Sequence, residues 1–243
     1  MPEIISSIAQ TTYVPGATTR VDGERRSQRP GTIRLGGLPV TVVDRAEAAR
    51  RMVEDATARR GSGLPPQYLT SANGQVLVEC ARDAKIRDLF LEADAIHADG
   101  MPMVYASWQM ATTPLPERVA TTDLIHDVMK LSGDAGLRSF LLGATAEANA
   151  AAVANLRALY PQVPEIDGRD GYFSEDEEAA VCEAVNAYAP DVLWLGLGVP
   201  KEQAFVVRNR HRLTRVGVIK TSGGLFDFLS GKRARAPKLV QTL

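Results

Sequence analysis

Short apolar runs that alternate with helix-like segments are the feature of this sequence that most limits its fold. The clearest example is the run at 137–142, which ends at Gly143. An Ala-rich segment follows from about Ala146 to Tyr160 and stops before Pro161, as a helix does. Because strands that alternate with helices build parallel sheets, we predict an α/β protein. We expect a Rossmann-like, largely parallel sheet in the C-terminal half, packed with a smaller N-terminal α/β lobe.

The same periodicity assigns the other elements of this fold. The predicted strands are 39–43, 67–70, 95–98, 163–166, 192–197 and 216–220. The predicted helices are 45–59, about 76–84, about 123–131 and a helix opened by Ser174 with three acidic residues in its first turn.

The composition fits a globular chain with a real core. The protein has 243 residues, of which 45% are hydrophobic and 23% are charged. Residues 1–30 mix Ser, Thr, Gly, Pro and Arg without apolar periodicity, so we interpret them as a flexible leader. We expect 31–243 to form one domain, made of an N-terminal lobe at 31–133, a Rossmann-like lobe at 134–231 and a basic tail at 232–243.

Charge is balanced overall but concentrated at the ends of the chain. The formal net charge is −1, which does not favour binding to nucleic acid. The last dozen residues carry four basic side chains and no acidic one: Lys232, Arg233, Arg235 and Lys238. Two interpretations of this tail stay open, contact with an anionic membrane surface and a solvated basic end.

Cysteine use and hydropathy indicate a cytoplasmic protein. Cys80 and Cys182 both fall in helical patterns, so we expect two buried free thiols in a reducing compartment. No stretch approaches the roughly 20 apolar residues of a membrane-spanning helix. Any contact with a membrane is therefore expected to be peripheral.

Three glycine turns follow predicted strands and precede predicted helices. They are Gly143-Ala144-Thr145, Gly196-Leu197-Gly198 and Ser222-Gly223-Gly224. Glycine at such a point lets backbone N–H groups approach an anion at a helix N-terminus, although a tight turn also needs glycine for its own geometry. Three such turns on one sheet edge predict a diphosphate-bearing ligand. The spaced G-x-G-x-x-G of dinucleotide enzymes is absent, because Gly198 is followed by Val-Pro-Lys.

Several polar residues follow strands, and each has a purely structural alternative. Asp99 comes directly after the strand 95–98, but an Asp-Gly pair is an ordinary turn, and spacing alone favours the turn. Asp123 either binds a ligand or caps a helix that starts at Leu124. Ser71 and Asn73 either bind a ligand or cap the next helix.

Metal and stacking sites find little support in the sequence. His97, His126 and His211 lack metal-ligand spacing, and Trp108 and Trp194 are expected in the core. No Asp-x-Asp pair occurs, so we expect backbone N–H groups and a side chain such as that of Lys201 to meet the ligand charge, with no metal and no separate cofactor.

Together these motifs resemble the WecG/TagA/CpsF glycosyltransferases, glycosyltransferase family 26. The similar segments run in family order from about Leu35 to Pro237. They are Thr70-Ser71-Ala72-Asn73, Ala98-Asp99-Gly100-Met101, Glu117-Arg118-Val119 with Asp123-Leu124, Gly171-Tyr172-Phe173, Gly196 to Lys201, Gly223 to Asp227, and Arg235-Ala236-Pro237.

The resemblance implies an inverting, metal-independent enzyme that moves a sugar from a UDP-sugar to a polyprenyl-diphosphate-linked saccharide at the inner face of a bacterial membrane. It implies that Asp99 is the general base. The implied substrate-binding residues are Ser71, Asn73, Arg118, Asp123, Lys201 and Glu202. The implied nucleotide-binding residues are Gly143, Thr145, Gly171, Tyr172, Phe173, Gly196, Gly198, Gly223, Gly224 and Asp227.

The sequence departs from the family pattern at several points. Glu202-Gln203 stands where the family usually has Gln-Glu, the pair Thr121-Thr122 replaces a Gly before Asp123, and Ser71 replaces a Thr. The family commonly continues past Arg-Ala-Pro into a basic, aromatic extension, whereas this sequence ends at Leu243. We therefore expect weaker docking to the membrane.

The donor sugar is not specified by these motifs. Family donors include N-acetylmannosamine, N-acetylmannosaminuronic acid and glucose. The Ala98 to Met101 stretch and the long leader look closest to the exopolysaccharide enzymes that add a β-1,4 glucose to lipid-linked glucose. Two other functions stay open: a non-catalytic nucleotide-sugar-binding partner of a polysaccharide assembly complex, and a nucleotide-dependent oxidoreductase. A homo-oligomer is also compatible with the sequence.

Overall fold

One eight-stranded sheet organises the chain. The computed structural model describes residues 13–14 and 29–232. Its strands are β1 (Thr32–Leu35), β2 (Leu38–Thr41), β3 (Gln67–Ala72), β4 (Ala95–Ala98), β5 (Ser139–Gly143), β6 (Ile166–Arg169), β7 (Val192–Gly196) and β8 (Val218–Thr221). Their order is β1-β2-β4-β3-β8-β7-β5-β6. Among these eight strands of the described residues, β1 and β2 alone pair antiparallel, through a turn in which Gly36 and Gly37 have positive φ.

Helices cover both faces of this sheet. They are α1 (Arg45–Arg59), α2 (Gly74–Arg82), α3 (Ala84–Leu91), α4 (Met101–Met110), α5 (Thr121–Ala135), α6 (Ala146–Leu159), α7 (Glu178–Tyr188), α8 (Lys201–Asn209) and α9 (Leu225–Leu229), with a 3₁₀ turn at Glu175–Glu177. Helices α1, α5, α6 and α9 share one apolar cluster on the first face. The other helices pack in two clusters on the second face.

The central strands are buried on both sides, which explains their continuous apolar runs. Every residue of β5 and β7 is buried. Leu141 and Trp194 pack on the first face, whereas Leu142 and Leu195 pack on the second. A parallel sheet covered by helices on both faces has this pattern, so the predicted Rossmann-like α/β fold is confirmed.

The predicted and observed boundaries agree closely for the strand at 95–98 and the helix at 45–59, and one predicted strand was misplaced. The strand predicted at 163–166 runs instead from Ile166 to Arg169, because Pro164 has no N–H for the ladder with β5. The helix predicted at about 76–84 is present as α2 (Gly74–Arg82), and it ends at Asp83, whose side chain accepts from the Lys85 N–H and starts α3.

The predictions about core side chains hold with one exception. Cys80 and Cys182 are buried free thiols, as predicted, and Trp194 is fully buried. Trp108 is 56% exposed and was wrongly placed in the core. It lies on α4, which the sequence analysis missed because the segment Met101–Met110 carries no charged residue and therefore shows no polar face.

Glycine at the end of β5 permits the close approach of β7. Gly143 has a φ of 148°, and a Cβ atom there would lie 2.2 Å from the carbonyl oxygen of Gly196. Gly198 also has positive φ, at 81°, but a Cβ there would meet nothing within 4 Å. Both positions have a positive φ, but an added Cβ would clash with another strand only at Gly143. A comparison of the two positions therefore distinguishes the cost of the clash from the cost of backbone strain.

We predict that Gly143→Ala lowers the free energy of unfolding by about 1–3 kcal/mol more than Gly198→Ala, because only the first substitution forces two backbones apart. Urea unfolding followed by circular dichroism measures both. Equal losses for the two variants would contradict the packing explanation.

Candidate functional site

The carboxyl ends of the parallel strands bring most of the predicted site residues to one edge of the sheet. In a parallel sheet these ends all point the same way, and ligands bind there. Following the sheet order from β4 to β6, the residues that come after each strand are Asp99, Asn73, Gly223, Gly198, Thr145 and Gly171. The polar residues thus lie at one end of the edge, and the glycine turns lie at the other.

Asp99 caps a helix that belongs to another part of the chain. Its Oδ2 accepts hydrogen bonds from the Thr121 backbone N–H at 3.1 Å and from the Thr121 hydroxyl at 3.0 Å. The N-cap residue of α5, Ala120, offers no side-chain acceptor. The carboxylate of Asp99 therefore meets the positive N-terminal end of α5.

This arrangement corrects the predicted start of α5. The helix begins at Thr121, so Asp123 lies in its first turn and is not its cap. The capping alternative holds for Asn73, whose side chain accepts from the Val76 N–H at 3.0 Å. It does not hold for Ser71, whose hydroxyl lies 3.1 Å from that of Thr121.

Lys220 is a fully buried lysine at the centre of the sheet. Its Nζ donates to the Ser71 hydroxyl at 2.8 Å and to the Thr221 carbonyl at 2.8 Å. Burial lowers the pKa of Lys220 to about 8, and the negative charges of Asp99 and Glu202 oppose that shift. At neutral pH the side chain is therefore mainly an ammonium.

Glu202 is the second buried charge of the site. The residue is 2% exposed, at the start of α8, and both carboxylate oxygens accept from the Gly223 N–H, at 3.2 and 3.0 Å. Burial raises its pKa to about 7, while hydrogen bonds from the Gly223 and Gly198 backbones and the charge of Lys220 oppose the shift. The N–H of Gly223 thus already binds a carboxylate from within the protein.

A third group of polar contacts lies beside Glu202. Gln203 Nε2 donates to Glu202 Oε1 and to the Thr70 hydroxyl, both at 3.3 Å, and the hydroxyls of Thr70 and Thr221 are 2.7 Å apart. The exchanged Glu202-Gln203 pair is therefore buried and hydrogen-bonded to β3 and to the turn that follows β8. The predicted site did not include Lys220, Thr221 and Gln203. A lysine in an apolar strand was the available signal, since buried charges require partners.

Arg118 and Asp123 lie beside the strand that carries Asp99. The loop before α5 is held to β4 by a hydrogen bond from the Val119 N–H to the Ala98 carbonyl at 2.7 Å. Arg118 and Arg45 each approach Asp123 Oδ2 at 3.8 Å. The predicted cation and carboxylate therefore form part of one ion-pair group.

The other end of the edge brings together the residues predicted near the nucleotide. Lys201 Nζ lies 3.4 Å from the Gly171 carbonyl oxygen and 5.3 Å from the centre of the Phe173 ring. Tyr172 is 75% exposed, and Phe173 is buried. A cation, an exposed aromatic ring and a buried one thus surround the end of β6.

The glycines fall into two groups. A Cβ at Gly171 or Gly196 would meet protein atoms at less than 3 Å, as at Gly143, so close packing explains these three positions. A Cβ at Gly223 or Gly224 would meet nothing within 4 Å, as at Gly198. The space beside the second group, Gly198, Gly223 and Gly224, is therefore open at the ends of the strands.

Two further predicted residues take part in the helices that leave this edge. The Thr145 side chain accepts from the Ala148 N–H at 3.2 Å and caps α6, whose N-terminal end therefore faces the edge. Asp227 lies in the first turn of α9, immediately after the Gly223-Gly224 turn.

His97 contributes no charge to the site, and the described histidines belong to no metal cluster. Burial, and secondarily the charge of Lys220, lowers the pKa of His97 to about 3, so its imidazole is neutral. His126 hydrogen-bonds the Tyr160 hydroxyl through Nδ1 at 2.7 Å. Within residues 13–14 and 29–232, no three His, Cys, Asp or Glu side chains are grouped as a metal site.

A groove on the first face lies next to this site but does not contain it. It has a volume of about 400 Å³ and is lined by residues of α5, α6 and α9, among them His126, Asn155 and Phe228. Of its lining residues, Thr122 is the neighbour in sequence of Thr121, and no predicted site residue contributes to it.

The fold and the edge define the class of this protein: a Rossmann-like α/β protein whose predicted site residues lie at the carboxyl ends of its strands. In the part of the chain that is described, no helix has the length and apolar character needed to cross a bilayer.

Comparison with known families gives the more specific assignment. The model of the glycosyl transferase WecG/TagA/CpsF family matches residues 33–243. The chain belongs to this family and is a glycosyltransferase, and the resemblance inferred from the motifs is confirmed.

The raised pKa of Glu202 predicts a stability that depends on pH. A carboxyl group that binds its proton more tightly in the folded state stabilises the fold below its unfolded pKa of 4.5, and that contribution is lost as pH rises through about 7. We predict that Glu202→Gln gains about 2–3 kcal/mol relative to wild type between pH 4.5 and pH 8.

Urea unfolding at both pH values measures this difference, with the exposed Glu183→Gln as the matched loss of a carboxylate. If the free energies of unfolding of wild type and Glu202→Gln differ by the same amount at both pH values, the pKa of Glu202 is not raised in the folded state.

Proposed function

We propose that this protein is an inverting, metal-independent glycosyltransferase that moves a sugar from a UDP-sugar to a polyprenyl-diphosphate-linked saccharide during bacterial exopolysaccharide or cell-surface polysaccharide synthesis. Family membership supports the reaction class. The observation that carries the mechanism is the carboxylate of Asp99, held at the ligand-binding edge by two hydrogen bonds from Thr121 to Oδ2. Both bonds end on one oxygen and leave Oδ1 for the acceptor.

In the proposed reaction Asp99 is the general base. Its Oδ1 takes the proton of the acceptor hydroxyl while the hydroxyl oxygen attacks the anomeric carbon of the donor. The bond between that carbon and the UDP oxygen breaks, and UDP leaves with the electron pair. Attack opposite the leaving group inverts the configuration. The N-terminal end of α5 and the Thr121 hydroxyl stabilise the ionised carboxylate before the reaction.

The donor would occupy the other end of the edge. Lys201 and the segment Gly171–Phe173 offer a cation and an aromatic surface, and the open glycine turn at Gly198 leaves room for a diphosphate. Arg118 supplies a second cation near the base, suited to a phosphate. We propose that these groups, with the N-terminus of α6, neutralise the UDP without a divalent metal.

The acceptor determines where the protein would act. A polyprenyl-diphosphate is confined to a membrane, so we propose that the protein works peripherally at the inner face of the cell membrane. Apart from Lys232, the predicted basic tail at 232–243 lies outside the described residues. Glucose or a sugar of the N-acetylmannosamine type is the proposed donor sugar, on the basis of the family resemblance.

We predict transfer from a UDP-sugar to a short-chain polyprenyl-diphosphate saccharide in excess EDTA. The assay is a panel of UDP-glucose, UDP-N-acetylmannosamine and UDP-N-acetylmannosaminuronic acid, tested against matched acceptors and followed by mass spectrometry. An absolute need for Mg²⁺ or Mn²⁺ would refute the metal-independent mechanism. Binding of UDP without any transfer across the panel would favour a non-catalytic nucleotide-sugar-binding protein.

We predict that Asp99→Asn lowers kcat by roughly 10²-fold or more, because the amide cannot accept the acceptor proton. The amide oxygen can still accept from the Thr121 N–H, so the start of α5 is preserved. The exposed Asp134→Asn, at the other end of α5, is the matched control. Transfer at the full rate by Asp99→Asn would exclude Asp99 as the base.

A further inference from the structure

A chain of hydrogen bonds joins the buried ammonium of Lys220 to the carboxylate of Asp99. It runs from Lys220 Nζ to the Ser71 hydroxyl at 2.8 Å, then to the Thr121 hydroxyl at 3.1 Å and on to Asp99 Oδ2 at 3.0 Å. These residues come from β8, β3, the start of α5 and the end of β4. Four separate segments of the chain thus meet in one continuous polar path.

The chemistry of the end groups gives this path a single direction. An ammonium can only donate, so the Ser71 oxygen accepts from Lys220. An ionised carboxylate can only accept, so the Thr121 hydroxyl gives its one hydrogen to Asp99. The hydrogen of Ser71 then has the Thr121 oxygen as its acceptor along the path. Every hydroxyl dipole in the path therefore points toward Asp99.

We infer that Lys220 is a positioning residue for the general base: through Ser71 and Thr121, its ammonium fixes the hydrogen bond to Asp99 Oδ2 and so directs Oδ1 toward the acceptor hydroxyl. This inference rests on the proposed function, in which Asp99 takes the acceptor proton. It assigns Ser71, predicted as a substrate contact, to the path that orients the base.

The charged groups around Lys220 influence the pH at which its side chain is an ammonium, and with it the direction of the path. The titratable residues that face it are Asp99 and His97 from the end of β4 and Glu202 from α8. Its register neighbours on β3 and β7, Leu69 and Trp194, carry no charge. Since burial lowers the pKa of Lys220 to about 8, the ammonium is present at neutral pH and is lost just above it. A neutral amine can accept, so the direction of the path is then no longer fixed.

Steady-state transfer kinetics test the role in the reaction. We expect Lys220→Met and Thr121→Val to lower kcat by roughly 10-fold or more, with KM for the donor within about 2-fold. Lys220→Met removes the charge-assisted hydrogen bond to Ser71, and Thr121→Val removes the hydroxyl that donates to Asp99. Thr121→Ser keeps the hydroxyl and is expected to restore most of kcat. In wild type kcat should fall above about pH 8, and in Lys220→Met that fall should be absent.

Matched controls are Lys130→Met on the exposed part of α5 and Thr57→Val on α1, where the hydroxyl bonds only the Val53 carbonyl. Both are expected to leave kcat unchanged. The inference is overturned if Lys220→Met keeps the wild-type kcat and pH profile, or if Thr121→Ser loses as much rate as Thr121→Val.

An NMR titration separates this inference from the proposed function, because it needs no transfer activity. The ¹⁵N signal of the Lys220 ammonium is followed against pH in wild type, Asp99→Asn and the control Asp134→Asn. The charge of Asp99 raises the pKa of Lys220, so we expect Asp99→Asn to lower the midpoint by roughly half a pH unit or more. An unshifted midpoint overturns the link between the two residues, even if the wild type transfers no sugar.

Discussion

A lysine ammonium in the interior of a packed sheet requires polar partners, and the site of this protein is arranged around that requirement. Lys220 is fully buried between β3 and β7, where an unpaired charge would be very costly. Its hydrogen bonds go to Ser71 and to its own strand, and carboxylates approach from β4 and α8. Because the parallel strands end at a common edge, two partners of Lys220, Ser71 and Asp99, are also predicted site residues at that edge.

The same constraint explains the exchanged pair at the start of α8. A carboxylate at position 202 is buried, and it is compensated by the N–H of Gly223 and by the charge of Lys220. Removing one charged side chain of such a group leaves the other charge without compensation, so a substitution at one position also affects the residue at the other. The exchange is thus one part of a network that also includes Lys220 and Gln203.

Local patterns predicted much of the fold and only part of the candidate site. Periodicity predicts the buried strands and the boundaries of α1. The common edge of a parallel sheet predicts which residues after the strands come together. The exposure of Trp108 was not predicted, because α4 has no polar face. The antiparallel strand β1 was not predicted, because it is only a short edge strand. The path from Lys220 to Asp99 joins four distant segments, and such tertiary contacts leave no spacing in one sequence. Thr121 stood out only as a departure from the family pattern.

The proposed mechanism requires Asp99 to face the acceptor side of a donor bound at the carboxyl ends of the strands. A crystal structure with an intact UDP-sugar tests it most directly, through the distance from Asp99 Oδ1 to the anomeric carbon. With an acceptor oxygen between them, that distance should be roughly 5–6 Å, and the UDP oxygen should lie on the opposite side of the carbon. An anomeric carbon turned away from Asp99, or a UDP bound at the opposite edge of the sheet, would rule out Asp99 as the general base.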